Sequence, residues 1–139
     1  MNEQQNVEIV RRGYEAFGRG DLNALLELLD ENIEWMSSGP PELPTAGRRR
    51  GRQEVAEFFD AVDTLFEIQR FEPETFIAQG DRVVVLGGET SRVKATGKIL
   101  DFEWVHVLTL RNSKVVALHE YLDTAALMAE LQASQRTPV

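Results

Sequence analysis

Residues 99–122 read ILDFEWVHVLTLRNSKVVALHEYL. The two arms of this stretch, 99–110 and 115–122, are rich in the β-branched and aromatic residues that favour strands. The residues between them, Arg111 to Lys114, are polar and few enough to reverse the chain tightly. The stretch therefore predicts two antiparallel strands joined by a short turn.

The sequence just upstream has the same character. Residues 68–78 and 82–94 are again rich in Val, Ile, Phe and Thr, and short polar turns at Gly80-Asp81 and at residues 96–98 separate the segments. Four successive strands with tight connections predict an antiparallel meander. Gly87-Gly88 interrupts the second of these strands, and we interpret this pair as a bulge that bends the sheet.

The first part of the chain has a helical pattern. From Val7 to Phe17 the apolar residues recur at spacings of three and four, which lays one stripe along a helix that Gly18 and Gly20 end. Asp21 is a good N-cap for a second helix, which we expect to stop near Asn32. A third helix is predicted over residues 51–66, where the apolar spacing resumes.

Residues 33–36 resemble a short strand, and residues 37–47, SSGPPELPTAG, contain too much proline and glycine for a helix or a central strand. We expect Thr124 to cap a last short helix over residues 125–131, and Asp123, which precedes it, to serve helix capping rather than catalysis. Helices gathered first and a meander gathered afterwards predict an α+β domain, with helices on one face of a bent antiparallel sheet.

Length and composition limit the possible functions. The 139 residues suit a single domain spanning 1–139, with a core over about 6–133 and a frayed tail over 135–139. A net charge of -8 disfavours nucleic acid as a partner, and the lack of cysteine excludes thiolate chemistry. The first residues have no secretory pattern and no segment is apolar enough to span a membrane, so we expect a cytoplasmic protein.

Only two histidines can carry proton transfer through an imidazole at neutral pH, His106 and His119. His106 shares one face of its strand with Phe102, Trp104 and Leu108, so its ring belongs to an apolar surface. If residues 112–114 form a three-residue turn, His106 lies opposite Glu120 on the next strand; a shift of one residue would instead pair it with His119. The apolar pattern does not decide between the two registers.

Several local motifs resemble a known family. They are Tyr14 to Phe17, Arg19 to Leu22, Gly39 to Pro44, Lys114 to Val116 and Glu120 to Thr124. Together they resemble the SnoaL-like branch of the nuclear transport factor 2-like superfamily, over nearly the whole chain. The resemblance implies a cone: a strongly curved antiparallel sheet wrapped around helices, with an apolar pocket at its open end. Because members are often dimers, it also implies a homodimer.

The resemblance also implies a site. SnoaL-like polyketide cyclases are similar in placing a histidine and an acid on these two strands inside the pocket, and His106 and Glu120 hold the matching positions. Glutamate stands where that subfamily has aspartate. The ketosteroid isomerase pattern fits less well, because Ser37 stands at the position of its aspartate base and Gly13, rather than Tyr14, at that of its tyrosine. The Arg-x-Asp pair of epoxide hydrolases is replaced by residues 89–92, ETSR.

Four further residues are candidates for contact with a small apolar substrate: Tyr14, Trp35, Trp104 and Leu118. The hydroxyl of Tyr14 could form half of an oxyanion hole, and the indoles offer flat surfaces to a planar ligand. As an alternative, Tyr14 and the two tryptophans could be plain core. The basic cluster Arg48, Arg49, Arg50 and Arg52 is either a solvated loop or a place that captures an anion.

Two functions follow as hypotheses. The first is an isomerase-like or cyclase-like enzyme that uses neither a cofactor nor a metal, with His106 as base and Glu120 orienting it, acting on an apolar carbonyl compound. The second is a module without catalysis that binds a hydrophobic ligand or serves dimerisation. In the second case the His106–Glu120 pair is a buried hydrogen bond that satisfies two polar groups.

Overall fold

A computed structural model describes residues 2–135 of the chain. Its elements, in chain order, are α1 (Glu3–Gly18), α2 (Leu22–Glu27), β1 (Leu29–Ser37), β2 (Gly47–Arg50), α3 (Gly51–Leu65), β3 (Phe66–Gln79), β4 (Arg82–Val93), β5 (Ile99–Arg111), β6 (Lys114–Leu122) and α4 (Thr124–Gln135). The tail expected beyond the last helix lies almost wholly outside the described residues. No described helix has both the length and the apolar composition needed to cross a bilayer.

The six strands form one curved, unclosed sheet in the order β2-β1-β6-β5-β4-β3. Neighbours run antiparallel except β1 and β6, which are parallel. The helices α1 and α3 pack on one face, which we call the inner face, against β3, β4 and β1. The predicted α+β class and the predicted meander, β3 to β6, are confirmed.

Two predictions about residues 21–50 were wrong. The second helix ends at Glu27 rather than near Asn32, because Leu29 already belongs to β1 and lies opposite Val115 of β6. Strand pairing there overrides the local helical spacing. The pattern also missed β2, whose sequence GRRR has no β-forming residue and which is held by antiparallel pairing with residues 34–37.

The basic cluster is therefore not a loop. Arg48, Arg49 and Arg50 lie in β2, and Arg52 lies in the first turn of α3. The Arg49 guanidinium donates to the carbonyl oxygen of Pro44 at 2.9 Å, and that of Arg52 to Leu29 at 2.7 Å. Two of the four arginines thus hold backbone carbonyl groups in place.

The turn between β5 and β6 fixes the register at the predicted site. It contains two residues rather than three, Asn112 and Ser113, with φ of 51° and 65°. Both φ values are positive, as a type I′ hairpin turn requires. A register shift between Thr109 and Leu110 then restores the pairing of His106 with Glu120, and His119 lies opposite Val107 instead.

Side chains cap the N-termini of the first and last helices. Asn2 accepts from the backbone of Gln5, and the Gln5 side chain accepts from the backbone of Asn2, so α1 begins with a capping box. At α4 the cap is Asp123, whose carboxylate accepts from the Ala126 N–H at 3.1 Å, and Thr124 is the first helical residue. The helix and the capping role of Asp123 were predicted, whereas Thr124, also expected as a cap, lies within the helix.

Gly87 allows a tryptophan to lie flat on the inner face of the sheet. A Cβ at this position would lie 2.3 Å from Cζ2 of Trp104 and 2.5 Å from the carbonyl oxygen of Glu72. The bulge expected here lies on the neighbouring strand, since the register of β3 shifts between Pro73 and Thr75, opposite Gly87 and Leu86. The glycine therefore serves close packing, while β3 supplies the irregularity.

Replacing Gly87 with alanine should lower the free energy of unfolding by about 1–3 kcal/mol, because the added methyl group must displace an indole or the backbone. Urea denaturation followed by circular dichroism measures the change. Gly18→Ala is the matched control: this glycine ends α1, and a Cβ added to it would meet no atom within 4 Å, so the effect should stay near zero. Equal stability of the two variants would contradict the packing role of Gly87.

Candidate active site

A cavity of about 120 Å³ lies between the helices and the inner face of the sheet. Its wall is almost entirely hydrocarbon and aromatic. The polar side chains in the wall are those of Tyr14, Thr45, Glu89, His106 and Glu120. An engineered cavity of about 150 Å³ in another protein holds benzene, so this one suits a ligand with about one ring.

Four side chains at this cavity form a continuous hydrogen-bonded network, which we call the polar network. The hydroxyl of Tyr14 lies 2.7 Å from Nδ1 of His106, and Nε2 of His106 lies 2.7 Å from Oε2 of Glu120. The hydroxyl of Ser37 donates to the other carboxylate oxygen, Oε1, at 2.9 Å. Both nitrogens of the imidazole and both oxygens of the carboxylate therefore have protein partners.

Four elements bring the polar network together. Tyr14 belongs to the apolar stripe of α1, which faces the sheet. His106 and Glu120 lie directly opposite each other on β5 and β6, so their side chains share the inner face. Ser37, at the end of β1, lies beside Glu120 through the parallel pairing of β1 with β6.

Burial and charge set the protonation states of Glu120 and Tyr14. Burial opposes ionisation of Glu120, whose side chain is 13% exposed, but the hydrogen bond and charge of His106 and the hydroxyl of Ser37 outweigh it and lower the pKa of Glu120. Burial, assisted by the charge on Glu120, raises the pKa of the Tyr14 phenol well above its usual range. At neutral pH Tyr14 is therefore an un-ionised phenol, and Glu120 is a carboxylate that accepts from Nε2.

Aromatic rings hold the imidazole in a fixed orientation. The ring of Trp104 stacks on His106 with centroids 4.2 Å apart, and Phe71 stacks on the indole of Trp104 at 4.7 Å. Trp104 thus lies behind the imidazole and does not form part of the cavity wall, whereas Trp35 and Leu118 do. Contact of these side chains with a substrate stays a prediction.

The sequence of this chain matches the profile of one family, the SnoaL-like domain, over residues 10–118. The chain belongs to the SnoaL-like family. No curated protein matches it.

Three solved structures are similar to this SnoaL-like chain over more than nine-tenths of its length. A nuclear transport factor 2-like protein from Burkholderia xenovorans is 42% identical, covers 93% of this chain and 97% of its own, and superposes with a TM-score of 0.83. A second such protein, from Burkholderia pseudomallei, is 32% identical with the same two coverages and the same TM-score. TerC, crystallised with polyporic acid, is 27% identical, covers 92% of this chain and 98% of its own, and has a TM-score of 0.83.

The SnoaL-like cavity contains an acid that sequence reasoning did not single out. Glu89 is 8% exposed and faces inward from β4, and the hydroxyl of Ser91 donates to its Oε2 at 2.5 Å. In the sequence, residues 89–92 stood out only because they lack the Arg-x-Asp pair of epoxide hydrolases. Alternation along β4 carried the signal, because Glu89 shares its face with the buried Val83, Val85 and Val93.

His119 lies on the opposite face of the sheet from the polar network. Its Nε2 lies 3.1 Å from the hydroxyl of Ser38, and its Nδ1 lies 3.1 Å from that of Tyr121, whose side chain is exposed. Since adjacent residues of a strand point to opposite faces, Glu120 and His119 cannot both reach the cavity. The structure thus resolves the two registers that the sequence left open.

The cavity offers donors and acceptors to an organic ligand. Tyr14, Glu89 and His106 are among its hydrogen-bonding groups next to apolar walls, and Trp35 adds a flat surface. Within residues 2–135, no three His, Asp or Glu side chains are grouped so that they could hold a metal ion. We therefore assign no metal ligands.

Proposed function

We propose that this SnoaL-like protein is an enzyme that transfers a proton within a small, apolar carbonyl compound, as an isomerase or a cyclase does. One observation carries the proposal: an imidazole in a hydrocarbon cavity is hydrogen-bonded on one side to a carboxylate and on the other to an un-ionised phenol. The carboxylate favours positive charge on the ring, and the phenol can donate to an oxygen that becomes negative.

The chemistry begins when the substrate displaces one hydrogen bond. A carbonyl oxygen that accepts from the Tyr14 hydroxyl leaves Nδ1 of His106 without its donor, so that nitrogen becomes free to act as a base. Nδ1 then takes a proton from the carbon next to the carbonyl, and the electron pair of the broken C–H bond moves onto the carbonyl oxygen as an enolate. Tyr14 stabilises the enolate, while Glu120 stabilises the protonated ring.

Two outcomes complete the reaction. Return of the proton from His106 to a different carbon moves a double bond, which is an isomerisation. Attack of the enolate carbon on a second carbonyl group closes a ring, and the proton on His106 then goes to the new alkoxide. A general base contributes about 10²- to 10⁴-fold and an oxyanion donor about 10²- to 10³-fold, so these groups suit an already activated carbonyl compound.

The similarity to TerC supports an organic ligand. That protein was crystallised with polyporic acid and is 27% identical to this chain. The size and apolar lining of the present cavity are consistent with a small ring compound as the substrate.

A second candidate function is binding without turnover. It is favoured by the completeness of the polar network, in which every nitrogen and carboxylate oxygen of His106 and Glu120 already has a protein partner. In this alternative Tyr14 covers Nδ1 permanently and the four polar groups only satisfy one another. The two candidates differ in what happens when the phenol oxygen is removed.

Replacing Tyr14 with phenylalanine should lower kcat about 10²- to 10³-fold, because the developing enolate loses its donor. A β,γ-unsaturated cyclohexenone is a suitable one-ring probe, since its conversion to the conjugated isomer is followed by ultraviolet absorbance. Tyr121→Phe, on the outer face, is the matched control and should keep the wild-type rate. A faster reaction in Tyr14→Phe would show instead that the phenol merely blocks the base, and absence of turnover in every protein would favour the binding function.

A further inference from the structure

We propose that Glu89 is a second binding group of the cavity, which as a neutral carboxylic acid donates a hydrogen bond to a second oxygen of the substrate. The inference rests on the proposed function and specifies its substrate class. That class is an uncharged ring compound with two oxygen acceptors, a carbonyl next to Tyr14 and a second acceptor at the opposite end.

The carboxyl group of Glu89 is placed for such a contact. It lines the cavity and is more than nine-tenths buried, at 8% exposure. The Ser91 hydroxyl donates to Oε2, and no hydrogen bond within residues 2–135 engages Oε1. Because Glu89 lies in the cavity wall and Oε1 has no hydrogen bond to the protein, this oxygen is open to an acceptor of a ligand in the cavity.

The register of the sheet separates Glu89 from the polar network. Val85 lies opposite His106 and Glu89 lies opposite Phe102, so four residues of β4 separate the two levels. Four residues correspond to about 13 Å between the Cα atoms of Val85 and Glu89 along the strand. Gly87 lies between them and has no side chain, and the ring of Trp104 packs against its backbone. A ligand that reaches both levels therefore carries its oxygens at opposite ends of its ring.

The charged and titratable groups around Glu89 come from four elements. They are Arg70 on β3, His106 on β5, Glu120 on β6 and Tyr14 on α1. The wall residues from α3 and α4 are apolar. None of the wall residues is a lysine or an arginine, and the imidazole of His106 is already paired with Glu120, so the cavity supplies no further cation to pair with an ionised Glu89.

These surroundings favour the neutral acid. Burial is the main reason that the pKa of Glu89 is raised to about 7, and the negative charge on Glu120 adds to the increase. The hydrogen bond from Ser91 and the positive charge on Arg70 oppose it. The group is therefore a hydrogen-bond donor below neutral pH and loses that proton above it. Binding of an acceptor at this end of the cavity should weaken accordingly as the pH rises.

Two isosteric probes test the inference: para-diacetylbenzene, with an acceptor at each end, and para-isopropenylacetophenone, in which a CH₂ group replaces one carbonyl oxygen. Isothermal titration calorimetry at pH 5.5 and pH 8.5 gives their Kd values. For the wild-type protein we expect the diacetyl compound to bind at least about tenfold more weakly at the higher pH, because the donating form is then a small fraction. The Kd of the isopropenyl compound should be the same at both pH values. This compound is the control for groups that titrate elsewhere in the cavity.

Two variants at the same position complete the test. Glu89→Gln keeps an N–H donor and should bind the diacetyl compound tightly at both pH values, while Glu89→Leu should bind it weakly at both. Equal pH dependence for the two probes, or no binding of the diacetyl compound at pH 5.5, would overturn the inference. Because the measurement is equilibrium binding, it separates this inference from the proposed catalysis, whose failure would abolish turnover and leave these Kd values unchanged.

Discussion

Replacing His106 with alanine should lower kcat for the β,γ-unsaturated cyclohexenone about 10²- to 10⁴-fold, because the reaction loses its base. The effect should fall on kcat more than on KM, since Tyr14 still offers a donor to the carbonyl oxygen. Added imidazole should restore part of the rate, because the substitution opens a space of the same shape beside Glu120. Rescue of this kind distinguishes loss of a base from loss of structure.

The control for that experiment is the other imidazole of the chain. His119 lies on the outer face, and His119→Ala should retain the wild-type rate. Circular dichroism should show both variants folded. Full activity of His106→Ala would eliminate the proposed mechanism, and the protein would then be assigned to the binding function.

The second large effect concerns stability: Glu89→Gln should be more stable than the wild-type protein at pH 8, by about 3 kcal/mol. The folded-state pKa of Glu89 is about 7 against an ordinary 4.5, and each pKa unit corresponds to about 1.36 kcal/mol. Between these values the folded protein binds more protons than the unfolded chain, so the wild-type protein loses stability as the pH rises from about 4.5 to 7. Glutamine does not titrate and escapes this loss.

The measurement is urea denaturation of both proteins at pH 5 and at pH 8. The free energy of unfolding must be compared between variant and wild type at each pH, because the contribution of Glu120 to stability changes with pH in the opposite direction. Its pKa is lowered, so its contribution to stability is present above the ordinary carboxyl pKa and disappears as the pH falls through the folded value. The gain from Glu89→Gln should therefore shrink between pH 8 and pH 5.

A surface carboxylate of the adjacent strand serves as the control for Glu89. Glu103 is exposed on β5, and Glu103→Gln should change stability by no more than about 0.5 kcal/mol at either pH. A Glu89→Gln variant that is less stable than wild type at pH 8 would show that the carboxylate has a stabilising partner. A gain in stability on removing a buried acid is the behaviour expected of a group retained for function.

The sequence was sufficient to predict the meander, and it narrowed the partner of His106 to Glu120 or His119. Strand composition and short turns defined β3 to β6, and the two-residue periodicity placed His106 on an apolar face. Of these two registers, the pairing of His106 with Glu120 required a three-residue turn, whereas the structure reaches it through a two-residue turn and a later register shift. The turn is one residue shorter than assumed and the register shift adds one residue back. Neither change can be predicted from the sequence, because β6 is apolar on both faces.

Other parts of the site depend on packing between distant elements. The contact of Tyr14 with His106 depends on how α1 lies across the sheet, which periodicity within α1 does not specify. Ser37 reaches Glu120 through a parallel pairing of β1 with β6, a crossover that local turn signals do not reveal. The strand β2 was missed because three successive arginines have no β-forming character, and only their partner strand makes them extended.

The polar network also has a consequence for the order of folding. Its two outer hydrogen bonds join residues 92 and 83 positions apart in sequence, so they require closure of most of the polypeptide. Such long closures are entropically unfavourable until many non-local contacts form together. During synthesis Tyr14 and Ser37 leave the ribosome long before His106 and Glu120, so a nascent chain lacks the polar network, which is complete only once the final hairpin has docked.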